Sequence, residues 1–218
     1  MESKLIDGCF GQRFISCGNK NVKMTIKGTP GNALGAYLDG GIIEVFGNAQ
    51  DAAGDTMNDG EIIIHGCAGD ALGYAMRGGN IFVKGDVGYR AGIHMKEYKD
   101  KKPVIVIGGG TGSFLGEYLA GGLIIVLGLG MTTAPFGDFT GTGMHGGKIV
   151  IRTKAELPLL PAQVSKEIVS GDDLKEIIPY IIKFSGYFGL NAQELIEDRF
   201  VVLRPNVKNP YKQLYVAN

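Results

Sequence analysis

Across residues 23–92 one phrase is written four times: MTIKG (24–28), IEVFG (43–47), IIIHG (62–66) and IFVKG (81–85). Each is a short apolar run closed by a glycine. The closing glycines Gly28, Gly47, Gly66 and Gly85 recur every 19 residues. A second set, Gly35, Gly54, Gly73 and Gly92, follows 7 residues later, and a third, Gly41, Gly60 and Gly79, a further 6 on. A fixed period of about 20 residues marks a solenoid, in which one coil cannot bury its apolar face without its neighbours.

Sorting the positions into columns gives the repeat an inside. Two residues before the closing glycine stand Ile26, Val45, Ile64, Val83, Val106 and Val126; four before stand Met24, Ile43, Ile62, Ile81, Val104 and Ile124. Residues two apart share one face of a strand, so these β-branched columns predict one wall of a core. Leu38, Met57, Met76, Met95 and Leu119 form a third column. Leu34, Ala53, Leu72, Ala91, Leu115 and Phe136 form a fourth, and both point the same way. The glycines then read as corners. Glycine takes positive φ without strain and lets backbones stack at about 4.8 Å. Later corners fall at Gly108, Gly116, Gly122 and Gly128. The expected fold is all-β: a parallel β-helix of about six coils, roughly 30 Å long at that spacing.

Around this core the chain divides into three. Residues 1–21 do not fit the repeat and are expected to cap its N-terminal end, residues 22–154 form the solenoid, and 155–218 are an appendage. A charged loop is inserted at 96–103 and a larger insertion at 130–146. After the proline-marked linker 157–163, Asp172 and Asp173 are placed to cap a helix through LKEIIPYIIKFSGYFGL (174–190), with Pro179 as a kink. Asn191 and Glu194 predict a capping box for a second, short helix, and RFVVLRP (199–205) a strand before an extended tail.

Bulk composition excludes several classes. Glycine is abundant (36 of 218 residues), but no G-X-Y triplet repeats and prolines number only 8, so collagen is excluded. Hydrophobic residues at 44% exclude disorder. Lys+Arg and Asp+Glu balance at 22 each, which gives no field to steer the chain to nucleic acid or anionic membrane. No apolar run approaches the ~20 residues of a membrane span, and MESKLIDGCFGQRF lacks a signal-peptide core. The three cysteines, Cys9, Cys17 and Cys67, match no disulfide framework, zinc or iron–sulfur spacing. The expectation is thiols in a reducing cytoplasm.

Chemistry-bearing candidates are few. Gly108-Gly109-Gly110-Thr111-Gly112-Ser113 follows a strand like a phosphate loop, yet lacks the Walker lysine and coincides with a corner. His65 points outward in column with Lys27, Phe46 and Lys84, while His94 and His145 lie on loops. No nucleophile–base pair or metal-ligand spacing emerges. Met57, Met76 and Met95 read as core packing beside Leu38 and Leu119. The outward positions carry one signal. They run from Thr25, Lys27, Glu44 and Phe46 to Ile63, Phe82, Ile105, Ile107, Ile125 and Leu127, so this face turns apolar along the axis. Exposed apolar patches of that size mark interaction surfaces. Either a partner covers it, or the C-terminal helix does with Ile177, Ile178, Ile181 and Ile182.

The repeat G-x6-G-x5-G-x5-G, together with the ending from Leu174 through Phe200 and Pro205 to Tyr211, resembles the C-terminal domain of the glutamate synthase large subunit, the GXGXG domain. The resemblance covers nearly the whole chain and implies a single-stranded right-handed parallel β-helix. In that family the domain follows an amidotransferase domain with a cysteine nucleophile and an FMN-binding barrel with an iron–sulfur cluster. This chain starts Met-Glu and has neither a Cys-rich motif nor room for a barrel, so it resembles one detached module. The resemblance implies a non-catalytic structural subunit of a cytoplasmic complex making glutamate from glutamine and 2-oxoglutarate. Amidotransferase and FMN/iron–sulfur chains would be its partners, and it would carry no catalytic residue, cofactor or metal of its own. The repeats are shared with the C subunit of formylmethanofuran dehydrogenase, which is the alternative scaffold. A third reading is a small-molecule-binding or enzymatic β-helix using the 130–146 insertion. The sequence leaves a homo-oligomer open.

Overall fold

The computed structural model of the chain describes residues 3–170 and 174–206. Its elements follow in the order β1 (Ser3–Phe10), β2 (Val22–Thr29), β3 (Asp39–Phe46), β4 (Asp59–Ile64), β5 (Asn80–Val83), β6 (Val104–Ile107), β7 (Ala120–Val126), β8 (Gly146–Arg152), β9 (Val164–Val169), α1 (Ile178–Phe188), α2 (Ala192–Ile196) and β10 (Phe200–Pro205). All the strands lie in one sheet, ordered β1-β2-β3-β4-β5-β6-β7-β8-β10-β9. From β1 to β8 each strand pairs in parallel with the next, one coil apart, so the chain is a β-solenoid. At the C-terminal end β10 is antiparallel to both β8 and β9, and it closes the stack.

The core columns are fully buried. Ile26, Val45, Ile64, Val83 and Val126 form one, and Ile43, Ile62, Ile81 and Ile124 the other, all at 0% exposure. Opposite them lie Leu38, Met57, Met76, Met95 and Leu119, and Met144 extends that column into the last coil. Each fully buried aliphatic side chain stabilises the fold by about 1.5–3 kcal/mol. The coils therefore hold together mainly by stacking like on like.

The structure corrects the reading of β6. Ile81 pairs with Ile105 and Val83 with Ile107, and these in turn with Ile124 and Val126. Ile105 and Ile107 are thus inward, and Val104 and Val106 outward. The loop at 96–103 inserts five residues rather than four, and with a side-chain period of two a single residue inverts every face. Gly109, not Gly108, occupies the closing corner: its amide donates to the Gly85 carbonyl (3.1 Å), as Gly85 does to Gly66 (2.9 Å). Phe136 also moves. Thr111 donates to the Pro135 carbonyl (3.0 Å), which sets Phe136 beside the bridge column Ala49, Ala68, Val87 and Thr111. The place expected for it beside Leu115 goes to Thr140, because the Gly141 amide bonds the Leu115 carbonyl (2.8 Å).

Residues 3–21 are a coil rather than a separate cap. β1 pairs with β2 in parallel, with a register shift between Ile6 and Cys9, and Gly35 donates to the Ile15 carbonyl (2.8 Å). The bulge, and Ser16 at φ 57° where later coils have glycine, hid the repeat. Further on, Pro179 starts α1 instead of kinking it. It lies in the first turn, where its missing N–H costs nothing. Asp172, Asp173 and the tail containing Tyr211 lie outside the described residues. The Asn191–Glu194 box is present in altered form: Asn191 Oδ1 accepts from the Gln193 amide (3.1 Å), while its Nδ2 donates to Glu194 Oε1 (2.8 Å).

Val83→Asp places a carboxylate inside the column Ile64–Val83–Ile107, where no polar side chain faces it. Burial of an unpaired charge costs far more than the ~1 kcal/mol of a typical substitution. Thermal denaturation is expected to show no cooperative native transition. A near-native melting temperature would mean that this column faces solvent.

Candidate functional site

The apolar outer face is the feature that the sequence singled out, and the structure covers it. Ile63 (2%), Phe82, Ile125 and Leu127 (each 0%) are buried in a second core together with Val104, Val106 and Leu123. These side chains are therefore unavailable as a partner surface. Ile105 and Ile107 were expected beside them and sit in the first core instead. The cover is α1 with its N-cap residue: Ile177, just before the helix, and Ile181, Phe184 and Phe188 within it face the sheet at helical spacing. Ile182, expected on that face, is 54% exposed. Gly189 ends the helix in the left-handed conformation (φ 68°), its amide returning to the Ser185 carbonyl.

Gly108 shows how tightly the helix is seated. It occupies the outward column of Lys27, Phe46, His65 and Lys84. A Cβ there would lie 2.1 Å from the Lys84 carbonyl oxygen and 2.8 Å from Phe184 Cζ. The glycine is thus a seat for the Phe184 ring rather than a corner.

Two polar clasps fix the helix. Glu61, on β4, accepts the Tyr187 hydroxyl (2.5 Å), the Lys183 ammonium and Asn80 Nδ2 (3.3 Å). Lys183 and Tyr187 are one turn apart, so both reach one carboxylate. Burial and the Glu61 carboxylate push the Tyr187 phenol well above its ordinary range, which keeps it a donor. At the helix entrance Glu176 is held by Lys102 and Lys148. Burial opposes its ionisation, but the two lysines outweigh it and hold the carboxyl below its ordinary value. The loop at 96–103 is therefore tied to its own molecule: Lys102 grips Glu176, and Lys101 pairs with Asp59 (3.0 Å) and Asp39 (3.5 Å).

Each histidine has a partner within the chain. His65 stacks on Phe46 (4.4 Å), meets the edge of Phe188 (5.2 Å) and bonds Glu44 through Nε2 (2.9 Å). His94 stacks on Tyr118 (5.1 Å), and His145 Nδ1 lies 3.3 Å from the Gly143 carbonyl. The glycine-rich loop cannot cradle a phosphate with the amides it has committed. Gly108, Gly109, Thr111 and Gly112 donate to carbonyls of adjacent coils, and Gly110 donates to Asp86 Oδ1 (2.8 Å). Among the described residues no group of three or more His, Cys, Asp or Glu is placed to hold a metal ion, and no helix is long and apolar enough to cross a membrane.

Two ladders escaped the sequence reading. Non-glycine residues repeat the left-handed conformation in register: Ala33, Ala52, Ala71, Arg90, Phe114 and Phe139, then Tyr37, Thr56, Ala75, His94 and Tyr118. Bonds between coils impose it, such as Ala33 to the Asp51 carbonyl (2.9 Å) and Phe114 to that of Asp138 (2.8 Å). Beside them, Asp51 Oδ1 accepts the Asp70 amide (2.9 Å) and Asp70 Oδ1 the Tyr89 amide (2.8 Å). The 19-residue spacing of Asp51 and Asp70 was the available signal.

Phe184→Ala removes the ring seated on Gly108 and is expected to loosen α1 without unfolding the solenoid. Hydrogen exchange should accelerate at α1 amides and stay slow in β3–β5; unchanged α1 protection would show that Phe184 does not rest there. Acid should act through Glu176. Because its folded pKa is depressed, its contribution is present above the ordinary glutamate value and lost as pH falls through the lower, folded one. Exchange at α1 should therefore rise on acidification below that range. Glu176→Gln should remove this step, and an identical acid profile in the variant would refute the clasp.

The GXGXG motif family model matches residues 3–207. The uncharacterized protein MJ1350 of Methanocaldococcus jannaschii is 45% identical over 223 residues, covering 98% of this chain and 85% of its own length. The repeated coil, the helix seated on its outer face and the antiparallel closing strand all lie within the matched region. This chain belongs to the GXGXG motif family, that of the C-terminal domain of the glutamate synthase large subunit.

Proposed function

We propose that the chain is a non-catalytic assembly subunit of a glutamate synthase-type complex. Amidotransferase and FMN/iron–sulfur chemistry would reside on other chains, and the complex would form glutamate from glutamine and 2-oxoglutarate. The observation that carries this reading is the extent of the family match, 3–207, over a chain whose described residues are a solenoid and its own cover. Four carboxylates hold coils and helix together: Glu61 and Glu176 clasp α1, and Asp51 and Asp70 bridge coils. A rigid stack of this kind offers fixed distances between surfaces many residues apart, which suits it to spacing other subunits.

Co-expression with the amidotransferase and FMN-binding chains of the same organism tests the reading. A stoichiometric complex is expected on size exclusion, with glutamine-dependent glutamate formation that falls at least about tenfold when this chain is omitted, a loss of about 1.4 kcal/mol in coupling. Full activity without it, and no complex, would contradict the proposal.

A further inference from the structure

The ladder of closing corners breaks at one rung. In successive coils the corner amide donates to the corner carbonyl before it: Gly66 to Gly47, Gly85 to Gly66, Gly109 to Gly85 and Gly128 to Gly109. The next corner is Thr153, and its amide turns instead to the Arg199 carbonyl (3.1 Å), at the start of β10. The two coil ends thus lack the corner bond where the insertion after Gly128 begins. Between them lies a cleft of about 390 Å³, walled by Gly130–Thr132 on one side and by Arg152, Lys154 and Asp198 on the other.

The cleft is cationic in a chain of zero net charge. It is lined by Arg152 and Lys154 against the single carboxylate of Asp198. A neighbouring cleft adds Lys166 and Arg199 against Glu156, so four cations face two carboxylates at this end of the solenoid. Arg152 is pre-oriented: Nη2 pairs with Asp198 (2.7 Å) and Nη1 donates to the Leu127 carbonyl (2.9 Å). Its Nε is buried without an acceptor. A planar guanidinium held from two sides is fixed in the cleft wall, and the N–H groups that Asp198 and Leu127 leave on Nη1 and Nη2 match an oxyanion. Lys154, mostly exposed and 3.2 Å from Asp198, can swing to the same ligand as a point charge.

We infer that the cleft between residues 128–132 and 152–155 binds a small oxyanion of the carboxylate or phosphate class, with Arg152 as the fixed fork and Lys154 as the mobile counter-charge. Its size falls within the range of small-molecule sites. The assignment does not depend on the assembly role.

The test uses the full chain alone and the Arg152 Nε–Hε resonance in ¹H–¹⁵N spectra. Inorganic phosphate and malonate are titrated separately, with sodium chloride at matched ionic strength as the reference. A saturable shift with phosphate, malonate or both is expected, and the tighter of the two identifies the class. Lys154→Gln, at an exposed position, should keep the fold and weaken the apparent affinity about tenfold. Arg152→Lys should retain charge but bind at least as weakly, read from the Thr132 amide. A shift that follows ionic strength as chloride does, or saturation unchanged in Lys154→Gln, would overturn the site.

Discussion

Everything in this molecule depends on how closely one coil approaches the next. At the closing corner a Cβ on Gly47 would lie 2.2 Å from the Gly28 carbonyl oxygen, so only glycine permits the stack. Gly66 and Gly85 have no positive φ, and they meet the same constraint through proximity alone. On the opposite side a Cβ on Gly54 would lie 2.4 Å from Ile81 Cδ1, which fills the space left by the missing side chain. The period of 19 is thus a packing requirement before it is a turn requirement. Where the corner amide turns away to β10 the corner residue is Thr153, and the cleft lies beside it.

A solenoid with both sheet faces apolar needs a second cover, and the chain supplies it. The outer residues of β4 to β8 grow apolar because α1 lies over them, while the outward positions of the first coils stay polar or half-exposed. The helix has only 11 residues, too few to be stable alone. Its order comes from Phe184 on Gly108 and from carboxylates gripped at both ends. The cover therefore depends on the stack that it seals, and the scaffold role proposed above uses the rigidity of that stack.

Much of this was legible in the sequence because solenoid columns repeat the same physics at fixed spacing. The inward columns of β2 to β5, the methionine column, the corner glycines before residue 96 and the apolar drift of the outer face all followed from counting. Counting failed where one residue of insertion changed parity, so Ile105 and Ile107 were placed outside and Gly108 at a corner. It failed at Arg90, Phe114 and Tyr118, because their left-handed φ is imposed by bonds from the adjacent coil rather than by residue type. β9 was missed because VSKEIV is an edge strand that exposes four consecutive residues. The cationic cleft was invisible, since Arg152 and Asp198 meet only through the placement of β10 between β8 and β9. The insertion at 130–146 was marked as a place for a ligand; which residues would line it was not.

The central claim is that the stack keeps strict inside–outside parity through β6 and that α1 seals the outside. Nuclear Overhauser contacts of the Phe184 ring test it most directly. The account predicts contacts from that ring to the Gly108 α-protons and to the Val106 methyl groups, with none to the Ile105 methyls. Contacts to Ile105, or none to Gly108, would contradict it.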